Sequence, residues 1–284
     1  MIVNPYTKQE MEFSVEVFPP KRTDDIYDIF RTLDELSDMK PDFISVTYGA
    51  GGSNSKKTAT LCAYVQNICE VDAIAHMTAA GMTKEKLVDL LKELKHKGVN
   101  RVLSLRGDKP RDMTQEEFDG RYYKYASDMI PDIKEVGDFK IAVACYPEKH
   151  PESPDFDTDI MMLKKKVETG ADELITQMFF ENEKFYYFMD KLRAAGVDVP
   201  VHAGIMPITA AKQLGTSVSL SGSSVPHDMS EMIAKYADDP VGMREAGIEY
   251  AIKQIDDLMK HGVEGIHLYS MNKSQVTRKI YESF

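Results

Sequence analysis

Phe13-Ser14-Val15-Glu16-Val17-Phe18-Pro19-Pro20-Lys21-Arg22 begins as a β-branched, apolar run and breaks off into two prolines and two cations. Such a run reads as a strand, and the prolines end it. A doubly wound nucleotide-binding sheet would place a glycine-rich turn after its first strand. That position holds no glycine here. The glycine-dense turn Gly49-Ala50-Gly51-Gly52 follows the second apolar run and lacks the GxGxxG spacing.

Outward from this stretch the chain alternates. Short apolar runs recur at Phe13–Phe18, Phe43–Thr47, Ala73–Thr78, Arg101–Leu105, Lys140–Cys145, Leu174–Phe180, Val199–Ile205 and Gly265–Tyr269. Longer stretches with helical spacing lie between them, among them Thr83–Lys97, Asp157–Thr169 and Ala246–His261. Several end in a glycine suited to a left-handed helix cap: Gly98, Gly170, Gly196 and Gly262. A βα unit repeated eight times, with no linker or composition break, predicts a single-domain α/β fold over residues 1–284, a closed (β/α)8 TIM-type barrel.

The net charge of −11 argues against nucleic acid as the main partner, because phosphate backbones need a basic face. No apolar run reaches the length of a membrane span, and the polar N-terminus has no signal-peptide core. Cys62, Cys69 and Cys145 form no CxxC pair, and the histidines show no HxH or HxxxH spacing. The expectation is a cytoplasmic protein without a metal site.

Catalytic groups of such barrels gather at the carboxyl ends of strands. Those ends hold Glu16, Thr47, His76, Arg106-Gly107-Asp108, Tyr146 to His150, Gln177, Met206-Pro207 and Tyr269 with Asn272 and Lys273. Glu16 is flanked by apolar residues on both sides. A carboxyl group there is either paired with a cation such as Arg106 or a lysine, or stays protonated and able to act as a general acid. The Arg106-Gly107-Asp108 segment suits a planar anionic ligand, and reads equally as a turn with a surface ion pair. His76 is a core histidine or a ligand contact. His150 is a base, a metal ligand or a stacking partner, and a metal site would want a nearby histidine partner that the spacing does not supply. Lys164-Lys165-Lys166 reads as a solvated helix face, one member of which could reach a phosphate.

Phe13 to Lys21, Ser45-Val46-Thr47-Tyr48-Gly49-Ala50, Ala75-His76-Met77-Thr78, Leu105-Arg106-Gly107-Asp108, Ala144-Cys145-Tyr146-Pro147-Glu148-Lys149-His150-Pro151 and Ile175-Thr176-Gln177-Met178-Phe179-Phe180 together resemble the methylenetetrahydrofolate reductase family, in its order and spacing. The resemblance runs from about Phe13 to Tyr281. It implies bound FAD, reduced by NADH or NADPH, and a second half-reaction that converts 5,10-methylenetetrahydrofolate to 5-methyltetrahydrofolate. It further implies catalytic roles for Glu16, as the acid that opens the methylene bridge, and for Asp108, as the carboxylate beside flavin and pterin. Implied flavin contacts are Thr47, His76, Arg106, Gly107, Asp108, Tyr125, Ala126, Tyr146, His150, Asp159 and Lys166. Implied folate contacts are Glu16, Thr47, Asp108, Gln177 and Lys273.

The chain departs from that pattern in places. Lys273 stands where a bacterial branch of the family has arginine, and the stretch from Thr209 to Pro226 lacks the aromatic that covers the nicotinamide in that branch. A protein electron donor in place of nicotinamide is therefore an open alternative. The chain stops after the barrel, so inhibition through a C-terminal regulatory extension is not expected. Other readings are a different flavin-barrel oxidoreductase, akin to proline dehydrogenase, or a flavin- and folate-binding subunit without turnover of its own. Assembly into a homo-oligomer is left open by the sequence.

Overall fold

The computed structural model describes residues 1–20, 26–48, 55–110 and 113–284. Lys21, Arg22 and the turn Gly49-Ala50-Gly51-Gly52 lie outside the described residues. The first half of the chain forms β1 (Ile2–Val3), β2 (Glu10–Val17), α1 (Ile26–Ser37), β3 (Phe43–Val46), α2 (Ser55–Asn67), β4 (Asp72–Thr78), α3 (Lys84–His96), β5 (Arg101–Leu105), α4 (Gln115–Asp119), α5 (Ala126–Val136) and β6 (Lys140–Cys145). The second half forms α6 (Phe156–Thr169), β7 (Glu173–Thr176), α7 (Asn182–Ala194), β8 (Val201–Ile205), α8 (Ala211–Ser221), α9 (His227–Tyr236), α10 (Pro240–Lys260), β9 (Gly265–Tyr269) and α11 (Ser274–Tyr281).

The strands follow one another in chain order and β2 also pairs with β9. β2 to β9 are thus an eight-stranded parallel barrel, with helices in the connections, the TIM-type fold expected from the alternation. β1 is an addition, running antiparallel to β2 with Ile2 opposite Met11.

Two compact units divide the chain. One comprises Ser14–Ala144 and Lys165–Leu174. In it β3 is wholly buried and pairs in register with β2 and β4, as expected for strands covered on both faces. α3 is held by Thr83, whose side chain accepts from the Lys86 amide, and buries Leu87, Leu90, Leu91 and Leu94 on one stripe. Glu173, at the start of β7, is fully buried; it takes both Arg101 bonds at 3.0 Å and Lys140 at 2.7 Å. A buried carboxylate needs that degree of compensation.

The other unit comprises Met1–Phe13, Cys145–Lys164 and Ile175–Phe284. Here β8 is buried throughout and pairs with β9, His202 opposite Gly265. Beyond β7 and β8, Met178, Phe180, Ile208, Met229 and Met243 form a core cluster against α8, α9 and α10.

β7 ends at Thr176, four residues short of the apolar run that ends at Phe180. Gln177 therefore lies just past the strand and not within it. The chain leaves the sheet there because Met178 and Phe180 enter the core cluster, with Ser223 Oγ donating to the Met178 carbonyl at 2.6 Å. The four glycines expected at helix ends all have positive φ. No helix among the described residues is long and apolar enough to cross a membrane.

Candidate active site

In the first unit, the carboxyl ends of β2 and β4 bring Glu16 and His76 together. His76 Nε2 lies 3.6 Å from Glu16 Oε2; the imidazole is 5% exposed and the carboxylate 21%. The alternation of β2 gives Glu16 the same face as Glu12 and Ser14. Thr47, just past β3, is half-buried; its amide donates to the Val17 carbonyl at 2.9 Å and its carbonyl accepts from Thr58 Oγ.

Arg106, Gly107 and Asp108 follow β5. Arg106 and Gly107 are half-buried and Asp108 is exposed. Gly107 has φ +74°, and a Cβ there would stand 2.8 Å from that of Thr78. Only glycine fits this left-handed, crowded position. Tyr125 caps the N-terminus of α5 with its ring about half exposed, and the Ala126 carbonyl accepts from Ser104 Oγ at 2.9 Å. Lys164 and Lys165 are exposed, but Lys166 is half-buried and donates to the Ala144 carbonyl at 3.0 Å. The lysine singled out by resemblance is thus the one that turns inward.

In the second unit, Tyr146 and His150 pack edge to face, ring centroids 4.7 Å apart. Asp159 accepts from the His150 amide at 3.2 Å, so it holds the loop after β6. His150 Nδ1 accepts from the Glu152 amide at 3.1 Å, which places the neutral ring's proton on Nε2. The Gln177 amide donates to the Cys145 carbonyl at 2.7 Å, and its side-chain oxygen takes the Met178 amide at 2.9 Å.

Past β9, Met271 and Asn272 both adopt left-handed conformations, with Ser270 Oγ accepting from the Asn272 amide. Two such residues in succession are costly and mark a constrained turn. The turn delivers Lys273, whose ammonium donates to Thr209 Oγ1 at 2.8 Å. Thr209 in turn meets Gln213 Oε1 at 3.0 Å. Partial burial of the ammonium, then repulsion from Arg244 and Lys212, hold the Lys273 pKa below the ordinary lysine value. Gln213 was not among the residues singled out from sequence; its spacing from Thr209, one helical turn at the start of α8, was the available signal.

A parallel barrel with titratable and hydrogen-bonding side chains at its strand ends belongs to the barrel-enzyme class. Within that class the chain belongs to the methylenetetrahydrofolate reductase family, whose model matches residues 2–284. It is 34% identical over 284 residues to methylenetetrahydrofolate reductase 1 of Schizosaccharomyces pombe, spanning 99% of this chain and 47% of that one, about half its length. It is 32% identical over 271 residues to 5,10-methylenetetrahydrofolate reductase of Escherichia coli, covering 95% of this chain and 90% of the relative. Among solved structures, an uncharacterized protein from Clostridium thermocellum that binds two copies of 5-methyl-5,6,7,8-tetrahydrofolic acid has the same fold. The TM-score is 0.64 at 14% identity, over 97% of this chain and 94% of the other.

Proposed function

We propose that residues 1–284 act as one catalytic domain that reduces 5,10-methylenetetrahydrofolate to 5-methyltetrahydrofolate, with FAD reduced in turn by NADH or NADPH. The observation that carries this reading is the Glu16–His76 pair at the carboxyl ends of β2 and β4, in a chain of this family. The residues present suit a flavin dinucleotide. Arg106 and Lys166 are cations for a pyrophosphate, and Gly107 offers bare backbone to a ring. Tyr146 and His150 offer aromatic faces. When bound, the flavin supplies the hydride.

The remaining chemistry belongs to side chains. The methylene carbon of the substrate bridges two nitrogens, and breaking one C–N bond requires a proton on the departing nitrogen. Glu16 delivers that proton, and His76, 3.6 Å away, orients its carboxyl group. The folate is left as an iminium cation. Asp108 stabilises that charge electrostatically, and hydride addition at the methylene carbon completes the methyl group. Gln177 donates to the pterin, and Lys273 pairs with the anionic tail of the folate.

One cuvette tests the reading. The protein's visible spectrum is recorded, a reduced nicotinamide is added without oxygen, and methylenetetrahydrofolate follows. Bleaching of the flavin band by the nicotinamide and its return with the folate are expected. A flavin that no nicotinamide bleaches points to a protein electron donor. Failure to bind flavin after reconstitution overturns the proposal.

A further inference from the structure

Within the second unit, the connection from α8 to α9 is fastened to the turns that follow β6 and β7. α8 ends on Gly222, in a left-handed conformation with φ +71°, and a Cβ there would stand 2.9 Å from Cγ of Pro151. The chain thus leaves the helix against the Tyr146–Pro151 turn. Ser223 is buried, and its hydroxyl donates to the Met178 carbonyl at 2.6 Å. Ser224 then meets Glu148. Both carboxylate oxygens of Glu148 accept from the Ser224 amide at 3.1 Å, and Oε2 accepts from its hydroxyl at 2.6 Å. The same hydroxyl lies 3.1 Å from Glu181 Oε1, in the turn after β7.

Nothing in the proposed chemistry uses Glu148, although it stands between Tyr146 and His150. It is half-buried, and among the described residues no cation pairs with it. Its hydrogen bonds come instead from a single residue of a distant connection, 76 positions along the chain. Bonds to an ionised carboxylate are stronger than those between neutral groups. Three of them onto one residue join the two segments at a defined point.

What the contact holds is a strained turn. Lys149 follows Glu148 with φ +64°, its amide donating to the Tyr146 carbonyl at 3.1 Å. A residue other than glycine persists in that conformation only where its surroundings over-determine it. Glu148 supplies the restraint on one side. On the other, Asp159 takes the His150 amide, and Lys149 Nζ donates to the Ser153 carbonyl at 2.7 Å. Between these restraints lies the one left-handed residue that turns His150 back onto Tyr146, with ring centroids 4.7 Å apart.

We infer that Glu148 is a positioning residue: through Ser224 it holds the turn that presents Tyr146 and His150 to the flavin. This rests on the reading of those two rings as flavin contacts. Glu148 acts through the turn, so Ser224, on the α8–α9 connection and outside the set of flavin contacts, governs flavin affinity with it.

FAD affinity and amide hydrogen exchange of the full chain test this, both measured well below the thermal midpoint so that every variant is folded. Glu148→Ala should raise the FAD Kd by about tenfold. In flavin-free protein it should also speed exchange of the Glu152 and Ser153 amides, which bond to His150. Ser224→Ala keeps the amide bonds and should raise the Kd by about threefold. The double variant should match Glu148→Ala within about twofold, because both changes break one contact. Glu148→Gln offers an oxygen to the Ser224 amide and an NH2 to its hydroxyl, and should bring the Kd back to within about threefold of the unchanged chain. A role in stability alone would lower the thermal midpoint and leave Kd and exchange as they were, and that result overturns the assignment. Additive losses in the double variant overturn it too. Ser224→Ala carries the test if Glu148→Ala folds poorly. An unchanged chain that binds no FAD sinks the flavin reading and this assignment together; variants that bind FAD as tightly as the unchanged chain sink the assignment alone.

Discussion

Of the three glutamates on strand β2, Glu12 and Glu16 lie four residues apart and each meets a histidine at the same distance. Glu12 Oε2 lies 3.6 Å from His202 Nε2, and Glu16 Oε2 lies 3.6 Å from His76 Nε2. The histidines are 2% and 5% exposed and the carboxylates 31% and 21%, so burial does not separate the pairs. Their positions do. His202 is the second residue of β8, near its amino end, and its ring fits only because residue 265 is glycine; a Cβ there would lie 2.4 Å from Nδ1. His76 is two residues from the carboxyl end of β4. In parallel barrels the amino ends of strands carry stability and the carboxyl ends carry chemistry. The same pair of side chains is thus a packing feature in one place and a candidate acid in the other.

The largest expected effect falls on Glu16→Gln. It should retain flavin and its reduction by the donor, yet lower folate turnover by about 10³–10⁴-fold, because an amide cannot deliver the proton. Unchanged folate turnover would remove Glu16 from the acid role. Asp108→Asn should cost about 10²-fold in folate reduction by stabilising the cation less, and it should shift the flavin potential. If neither quantity moves, Asp108 is a turn residue only. Glu12→Gln is the counterpart. Turnover should stay within about twofold while stability falls by about 1–3 kcal/mol as the carboxylate beside His202 becomes a neutral amide, read as a thermal midpoint several degrees lower. A folded Glu12→Gln protein that has lost folate reduction would break the distinction between the two strand ends.

The sequence showed one of these pairs more clearly than the other. Eight apolar runs announced eight strands because strands covered on both faces are continuously apolar. Glu16 stood out inside such a run, but its partner His76 is sixty residues away and only the β2–β3–β4 register joins them. Glu12 fell outside the apolar run altogether, since β2 begins at Glu10 through its pairing with β1, a contact that no local pattern encodes. β7 was read too long for the opposite reason. Met178, Phe179 and Phe180 are as apolar and buried as a strand, but the first and last are buried in a loop cluster. α8 was not legible because Gly215, Thr216, Ser217 and Ser219 are weak helix formers, and the helix that hid there carries Gln213.

Lys273 sharpens the comparison, because it shares a unit with Glu12 and His202 yet stands past the carboxyl end of β9. If position along the strand decides function, Lys273 should behave like Glu16. Its pKa is held below the ordinary lysine value by burial and by Arg244 and Lys212. Between the lowered and the ordinary value the unfolded chain binds the extra proton, so this group's contribution to stability improves as pH rises through that window. Folate binding should run the other way. An anionic tail prefers the ammonium, so the KM for methylenetetrahydrofolate should climb with pH earlier than an ordinary lysine would allow. Lys273→Arg keeps its charge throughout that range, and its planar fork alters the neutral-pH KM by no more than about threefold. The variant should therefore lose the alkaline rise in KM while kcat is unchanged. A KM profile identical in the two proteins would place Lys273 outside the folate site and return it to the turn that holds it.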